Sequence, residues 1–550
     1  MRMTGGEAVV HSLKAHNINM VFGIPGVHNL ALYEALCGMD GIQHIVARHE
    51  QGAAFMADGY ARASGKIGVC LSTSGPAALN TLTSLGTAYS DSSPVLCIAS
   101  QIPAEGIGKE KGFIHECRDQ LSCFRAVTRW CERANSVNEI PGLLREAFSQ
   151  MLKGRPRPVA LEIPCDIMDT TDEATILAPA PARRLPVNSQ SLDQAAESLA
   201  QARRPVIWAG GGVITSGASV ALQRVAERLQ APVFTTVLGK GALTSDHPLS
   251  SGSTVLHPAA QEFIAGCDVM LAVGTRFTED ETDGWSLRLP ESLIHIDVDQ
   301  AEIDRNYPAS IGVVGDAGEA LMEIADRLES LSLARCEETA GRVSEIKELK
   351  ERILSDCCER APDGVQLVKT LRRSLPRETI VVSDLTVAAY WCRRLLDLYE
   401  PRTNIYPWGF CTLGFGLPAA IGAKAARPDR PVVVLAGDGG FLFNSQELAV
   451  AVQFDLPIVV IIFNDGGYGV LRRQQQVLYG RTLGADLVNP DFVALARAFG
   501  VDGQLVTSLD QLGGVVKAAI ASQRITVIEV QHKIPWQAME PSSQKFGSTS

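Results

Sequence analysis

The 550-residue chain has no long apolar run, no basic stretch and no paired cysteine motif. Its cleanest apolar segments are as short as Ile458–Phe463, far below the ~20 residues a membrane-spanning helix needs. Lys and Arg number 50 against 61 Asp and Glu, a formal charge of −11. An acidic chain with basic spots no larger than Arg472–Arg473 is a poor partner for nucleic acid or anionic lipid. The first residues, MRMTGGEAVVHSLKAHN, show no apolar core leading to a small-residue cleavage site, so no secretory leader is expected. None of the 13 cysteines forms a CxxC pair. Cys70, Cys97 and Cys267 lie in apolar segments and read as buried free thiols, which points to a reducing, cytoplasmic compartment. With 46% hydrophobic and 20% charged residues, the composition excludes wholesale disorder, a coiled coil and a collagen-like repeat.

What is present is a long alternation of strand and helix. Short β-branched runs such as Gly68–Ser72, Val95–Ala99, Val159–Ile163, Val269–Val273, Val432–Leu435 and Ile458–Phe463 end in Gly, Ser or Asp and lead into helical stretches. That pattern predicts an α/β fold of parallel sheets covered on both faces. A Pro- and Ala-rich stretch at 178–190 reads as a linker, and 328–360 as a charged helical connection. Three domains follow, about 1–177, 190–330 and 360–535, with PSSQKFGSTS as a loose tail. The outer two echo each other: Gly75 to Pro94 spans 19 residues and Gly439 to Pro457 spans 18. Crossovers of that length are common, so the echo alone leaves repeated topology and coincidence equally open.

Val432–Gly469 is the most informative segment. One strand ends in Gly437–Asp438–Gly439, a helix over about Ser445–Phe454 crosses over, and a second strand ends in Asn464–Asp465–Gly466–Gly467. A right-handed βαβ unit brings both strand ends to one edge of the sheet, where ligands bind. Asp438 and Asp465 then face one crevice with no local Lys or Arg, and a hard divalent cation resolves their repulsion. Mg²⁺ uses one or two carboxylates together with substrate phosphates, and the glycines admit a diphosphate close to the backbone. A generic tight turn is the competing reading for the GDG alone.

This GDG, followed after a couple of dozen residues by Asn464–Asp465, resembles the thiamine-diphosphate motif. Asp465 stands where that motif usually has its second Asn, adding a negative charge. The wider resemblance runs over about 1–535 and is to the acetolactate synthase, pyruvate oxidase and 2-oxo acid decarboxylase superfamily. It implies three doubly wound parallel-sheet domains: pyrimidine-binding, central and diphosphate-binding. It also implies thiamine diphosphate with Mg²⁺ as cofactors. Gly437, Asp438, Gly439, Gly440, Asp465, Gly467 and Tyr468 fall at the diphosphate, with Asp438, Asp465 and the Gly467 carbonyl on the metal.

In the same alignment Glu50, within ARHEQGAAF, falls on the carboxylate that activates the aminopyrimidine ring. A glutamate in a drier pocket can share a proton in this way. By position alone it would read as a first-turn helix glutamate. Pro25 and Gly26 border the cofactor in the resemblance, Gly75 packs near the pyrimidine, and Leu413 wedges between the two rings with the Cys411 carbonyl nearby. Each of these loops could also be a plain strand-to-helix turn. The superfamily builds its site from two subunits, implying a homodimer or homotetramer with active sites at the subunit interface.

Substrate choice rests on fewer residues. His115 in GFIHE stands where acetolactate synthases have Gln, which places a titratable group at the site. Gln474 replaces their Trp. His28, Gln474 and the Arg472–Arg473 pair suit a polar 2-oxo acid, and GIPGVH, RHEQGA and GYG…RR look similar to 5-guanidino-2-oxopentanoate decarboxylases. The expected reaction is decarboxylation of a 2-oxo acid through a carbanion–enamine, releasing CO₂ and an aldehyde. Two rivals are kept: a carboligase joining the enamine to a second carbonyl, and a nucleotide- or flavin-binding module without catalysis. The loop Ala209–Gly212 leaves FAD open without predicting it, since Ser250–His257 lacks the flavin segment of the FAD-containing relatives.

Overall fold

The computed structural model describes residues 1–181, 186–333 and 341–536. The proposed tail at 541–550, and part of the 178–190 linker, lie outside the described residues.

Three six-stranded parallel sheets carry the chain. The first comprises Met20–Gly23, Gln43–Val46, Gly68–Ser72, Val95–Gln101, Trp130–Arg133 and Val159–Pro164. Numbered along the chain, these lie in the spatial order 2-1-3-4-6-5. The third comprises Ile380–Ser383, Asn404–Ile405, Val432–Gly437, Val459–Phe463, Asp502–Val506 and Thr526–Val530, again in the order 2-1-3-4-6-5. The sequence echo is therefore a shared topology. The central sheet starts at Pro205–Ala209, ends at Ile311–Val314, and has the order 3-2-1-4-5-6 of a doubly wound nucleotide-binding sheet. Their central strands are buried throughout, as near-continuous apolar runs covered on both faces must be. A small antiparallel pair, Arg2–Thr4 with Thr171–Glu173, closes the first unit and was not foreseen.

The two outer units pack directly. Helix Glu50–Ser64 crosses helix Gly416–Ala426 where a Cβ on Gly59 would run into the Ala419 carbonyl and one on Gly422 into that of Met56. The small residues of both helices thus bring two backbones together, and Phe55 meets Phe415 edge to face at 5.4 Å. One buried apolar cluster runs through both sheets.

The crossover after Val432–Gly437 differs from expectation. Helix begins at Asp438 itself, runs to Phe443, breaks at Asn444, and resumes as a short 3₁₀ turn and Leu448–Gln453. The glycines of GDGG continue straight from strand to helix, and this start is hidden from a reading that takes Gly as a loop signal. Likewise the strand before Glu50 ends at Val46, and Glu50 is the first helical residue, capped by His49. Cys70, Cys97 and Cys267 are buried as expected, but Cys37, Cys358 and Cys411 are exposed.

Candidate functional site

At the carboxyl edge of the first sheet, three loops converge. Gly26 lies so close to Thr73 that a Cβ there would sit 2.6 Å from the threonine Cβ, and its N–H donates to the buried Asn29 at 2.7 Å. His28 Nδ1 meets the buried Ser74 Oγ at 2.5 Å. The His28 and His115 rings stand edge to face at 5.5 Å. Burial, then the charge of His115, holds the His28 imidazole below its usual range. Gly75 has φ +59° and His115 φ +63°, and a Cβ on Gly75 would strike the His115 carbonyl, so this position requires glycine. The Gly75 N–H donates to Gln120 Oε1 at 2.7 Å. Gln120 in turn donates to the Ser100 carbonyl and to Glu162, which also receives Arg133. Gly26, His28, Gly75 and His115 therefore share one edge with exposed Pro25 beside them. Glu50, half-buried, opens the neighbouring helix and accepts from Asn80 Nδ2 at 2.9 Å.

The third sheet builds the second half. Asp438 Oδ2 accepts from the Gly467 N–H at 2.9 Å and from Asn489 Nδ2 at 2.6 Å, which joins the GDG strand end to the Asn464–Gly467 strand end. Asn489 also reaches Asn464 Oδ1 at 2.9 Å, while its own buried Oδ1 finds no partner among the described residues. Burial, then Asp438, pushes the Asp465 carboxyl up. The expectation of no local cation is corrected: Arg472 Nη2 sits 3.4 Å from Asp465 Oδ1 and 3.1 Å from its carbonyl. One turn of helix, Gly469–Tyr479, folds it back, a proximity that spacing alone does not reveal. The Tyr468 ring covers Gly439. Among the described residues no cluster of three or more His, Cys, Asp and Glu side chains could hold a metal. Two carboxylates, an orphaned amide oxygen and loop carbonyls form a donor set of hard oxygens, which suits a Mg²⁺–diphosphate better than a protein-only metal cage.

Sequence reasoning missed Asp384. It is buried at the end of strand Ile380–Ser383, accepts from the Gly414 and Gly416 N–H groups at 3.1 and 3.0 Å, and lies beside Gly440. Burial pushes its carboxyl to about 6, opposed by those N–H groups. It ties the Leu413 loop to the GDG turn. Leu413 is half-buried, and Cys411 sits at φ +49° with its Sγ on the Trp408 carbonyl at 2.8 Å. A strand-terminal Asp is the signal that could have found Asp384; Asn489, in a loop, offered none.

Glu50 and the Asp438–Gly467 loops belong to different units and are expected to meet between two subunits; within the chain, Asn444 of the third unit reaches Gln51 at 3.4 Å and the Gly414 carbonyl at 2.7 Å. Gln474 lies half-buried on a helix with no buried residue, and no hydrogen bond ties it to His28 or His115.

A cavity of about 360 Å³ lies at the switch point of the central sheet, lined by Gly211, Gly212, Gly274, Arg276, Asp297 and Arg402 among others. With the 3-2-1-4-5-6 strand order of that sheet, it speaks for the nucleotide-binding alternative.

The sequence matches three family descriptions in succession: "Thiamine pyrophosphate enzyme, N-terminal TPP binding domain" over 3–123, "central domain" over 192–324 and "C-terminal TPP binding domain" over 384–530. It is similar to the probable 2-ketoarginine decarboxylase AruI of Pseudomonas aeruginosa, 39% identical over 536 residues, 96% of this chain and 94% of that protein. It is 38% identical over 549 residues to the probable acetolactate synthase large subunit of Methanocaldococcus jannaschii, covering 96% and 92%. It is 34% identical over 527 residues to the acetolactate synthase isozyme 2 large subunit of Escherichia coli, covering 94% of each. The chain belongs to the thiamine pyrophosphate enzymes.

Proposed function

We propose that this enzyme decarboxylates a polar 2-oxo acid, with 5-guanidino-2-oxopentanoate as the first candidate, and releases CO₂ and an aldehyde. The observation that carries the reading is the imidazole pair: His28 held by Ser74 at 2.5 Å and set edge-on to His115. An aldehyde-forming decarboxylase must deliver a proton to the carbon that lost CO₂, and imidazole side chains are suited to carry one. The name of the Pseudomonas relative supports the same substrate class.

Bound thiamine diphosphate would supply a nucleophilic carbon for the substrate ketone and a sink for the electrons left by CO₂. Asp438, Asp465 and the Gly467 carbonyl would hold Mg²⁺ and through it the diphosphate, with Gly437, Gly439, Gly440 and Tyr468 shaping the cradle. Leu413, Cys411, Pro25, Gly26 and Gly75 would border the rings. Glu50 would hold a proton at the ring nitrogen of the aminopyrimidine. His28 and His115 would pass a proton to the product, and Gln474 would contact the substrate's polar end.

We place the domains at 1–177, 190–330 and 360–535, and the active sites at the interface of a homodimer or homotetramer. Val477, Tyr479 and Leu483 are exposed by 71%, 71% and 88% just beyond the Asp465 loop, apolar surface that a second copy would cover. Twelve described cysteines are free, which fits a cytoplasmic enzyme. Among the described residues no helix is long and apolar enough to cross a membrane.

The carboligase reading draws on the acetolactate synthase relatives. Product analysis with thiamine diphosphate and Mg²⁺ over a panel of 2-oxo acids, with and without added aldehyde, decides between the two. CO₂ with stoichiometric aldehyde is expected; acetolactate from pyruvate alone overturns the proposal.

A further inference from the structure

Asn80 closes the short helix Pro76–Asn80, and its Nδ2 donates to Glu50 Oε2 at 2.9 Å across 30 residues of sequence. The ionisable groups around that carboxylate come from several elements. Tyr33 faces it from helix Leu30–Cys37, its hydroxyl pushed up by burial and then by Glu50 and Cys70. His44 bonds the Tyr33 hydroxyl at 3.2 Å. Arg48 and His49 precede Glu50, and Glu447 lies beneath Arg48 from the third unit. Among the described residues, none of these donates a hydrogen bond to Glu50; only Asn80 does.

The support behind Asn80 is stiff. Its helix is preceded by the cap residue Gly75, whose N–H is held by Gln120, which is buried and anchored on the Ser100 carbonyl and Glu162. The other end of the contact is also fixed, because the Gln51 carbonyl accepts from buried Ser84 at 2.8 Å. The chosen donor is neutral. Arg or Lys in its place would hold the carboxylate as an anion, whereas an amide fixes the carboxylate plane and leaves it free to take a proton. One oxygen is committed to the protein, and Oε1 has no partner among the described residues.

We infer that Asn80 is a positioning residue for cofactor activation, binding Glu50 Oε2 so that Oε1 is presented to the ring nitrogen of the aminopyrimidine. The inference rests on the role proposed above for Glu50. Asn80 itself is exposed in the single chain and makes no other side-chain hydrogen bond among the described residues, so its removal takes little from the fold.

The test uses the full chain with thiamine diphosphate and Mg²⁺ and compares N80L, of like size without a donor, N80Q, with the donor on a longer arm, and E50Q. Four readouts are taken: Tm, cofactor Kd by calorimetry, the near-ultraviolet circular dichroism of the bound aminopyrimidine, and the deuterium exchange rate of the thiazolium C2 proton. Loss of a hydrogen bond to a charged group predicts about 10- to 100-fold slower exchange in N80L. Its cofactor Kd should stay within about threefold and its Tm within about 2 °C, as for an exposed residue. The dichroism should change in N80L, and N80Q should restore part of both signals. Wild-type exchange in N80L overturns the inference, as does equal slowing in N80L and N80Q accompanied by a fall in Tm. Slow exchange in E50Q with normal N80L refutes Asn80 alone; wild-type exchange in E50Q refutes the role of Glu50 itself.

Discussion

Glu447 of the third unit accepts the backbone N–H of Arg48 of the first through both carboxylate oxygens, at 3.1 and 3.3 Å, across 399 residues of sequence. It is fully buried under the turn that begins the Glu50 helix, and a Cβ on Gly52 would press against it. The third unit thereby holds the entry of the helix that opens at Glu50.

Burial pushes the Glu447 carboxyl from 4.5 to about 7. The native state therefore binds its proton more tightly than the unfolded chain, and stability falls as pH rises between those two values. The loss is about 3 kcal/mol in full. Tm measured at pH 5 and pH 8 should drop in the wild type, and the drop should shrink in E447Q. Equal slopes in the two proteins would show that Glu447 does not titrate in this window.

Gly422→Ala should destabilise the seam between the outer units. The added methyl meets the Met56 carbonyl, a backbone atom that cannot step aside. Overpacking of this kind costs about 1–3 kcal/mol, read as a lower Tm. An unchanged Tm would mean that the helices slide apart without penalty.

Asp438 and Asp465 should make thermal stabilisation by thiamine diphosphate depend on a divalent cation. The wild type should gain several degrees with cofactor and Mg²⁺ together, as mass action requires. It should lose that gain on chelation. D438N keeps an acceptor for Gly467 and Asn489 but removes the charge, and should lose most of the gain with little change in apo Tm. A chelator-insensitive shift would falsify the metal reading.

His28 is held below its ordinary range by burial and by His115. In H115A the His28 ring should titrate at higher pH, followed by its ring-proton NMR signal. A downward or absent shift would separate the two imidazoles electrostatically and remove the basis for treating them as a pair.

Much of this architecture was legible in the chain. Strand-terminal Gly437–Asp438 and Asn464–Asp465 had to meet, because a parallel βαβ unit brings both strand ends to one edge. Gly26, Gly75 and His115 fall together for the same reason. Asn489 and Asp384 stayed hidden, since a loop amide and a lone strand-end Asp acquire meaning only from what faces them. Arg472 was visible as a residue but not as the neighbour of Asp465, because a helical turn and not the sequence interval brings it back.

The periodicity and punctuation of the sequence alone determined three parallel α/β units and the position of the acidic loop tips, while the cofactor came from the resemblance of the Gly437–Asp465 motif to a known family. These depend on local hydrophobic pattern and on the geometry of one crossover at a time. The tertiary structure decided the matching 2-1-3-4-6-5 order of the outer sheets, the glycine-mediated crossing of Gly59 and Gly422, and the grip of Glu447 and Asn80 on the segment around Glu50. Those arise between residues far apart in the chain, where what fixes a side chain is the surface that arrives opposite it.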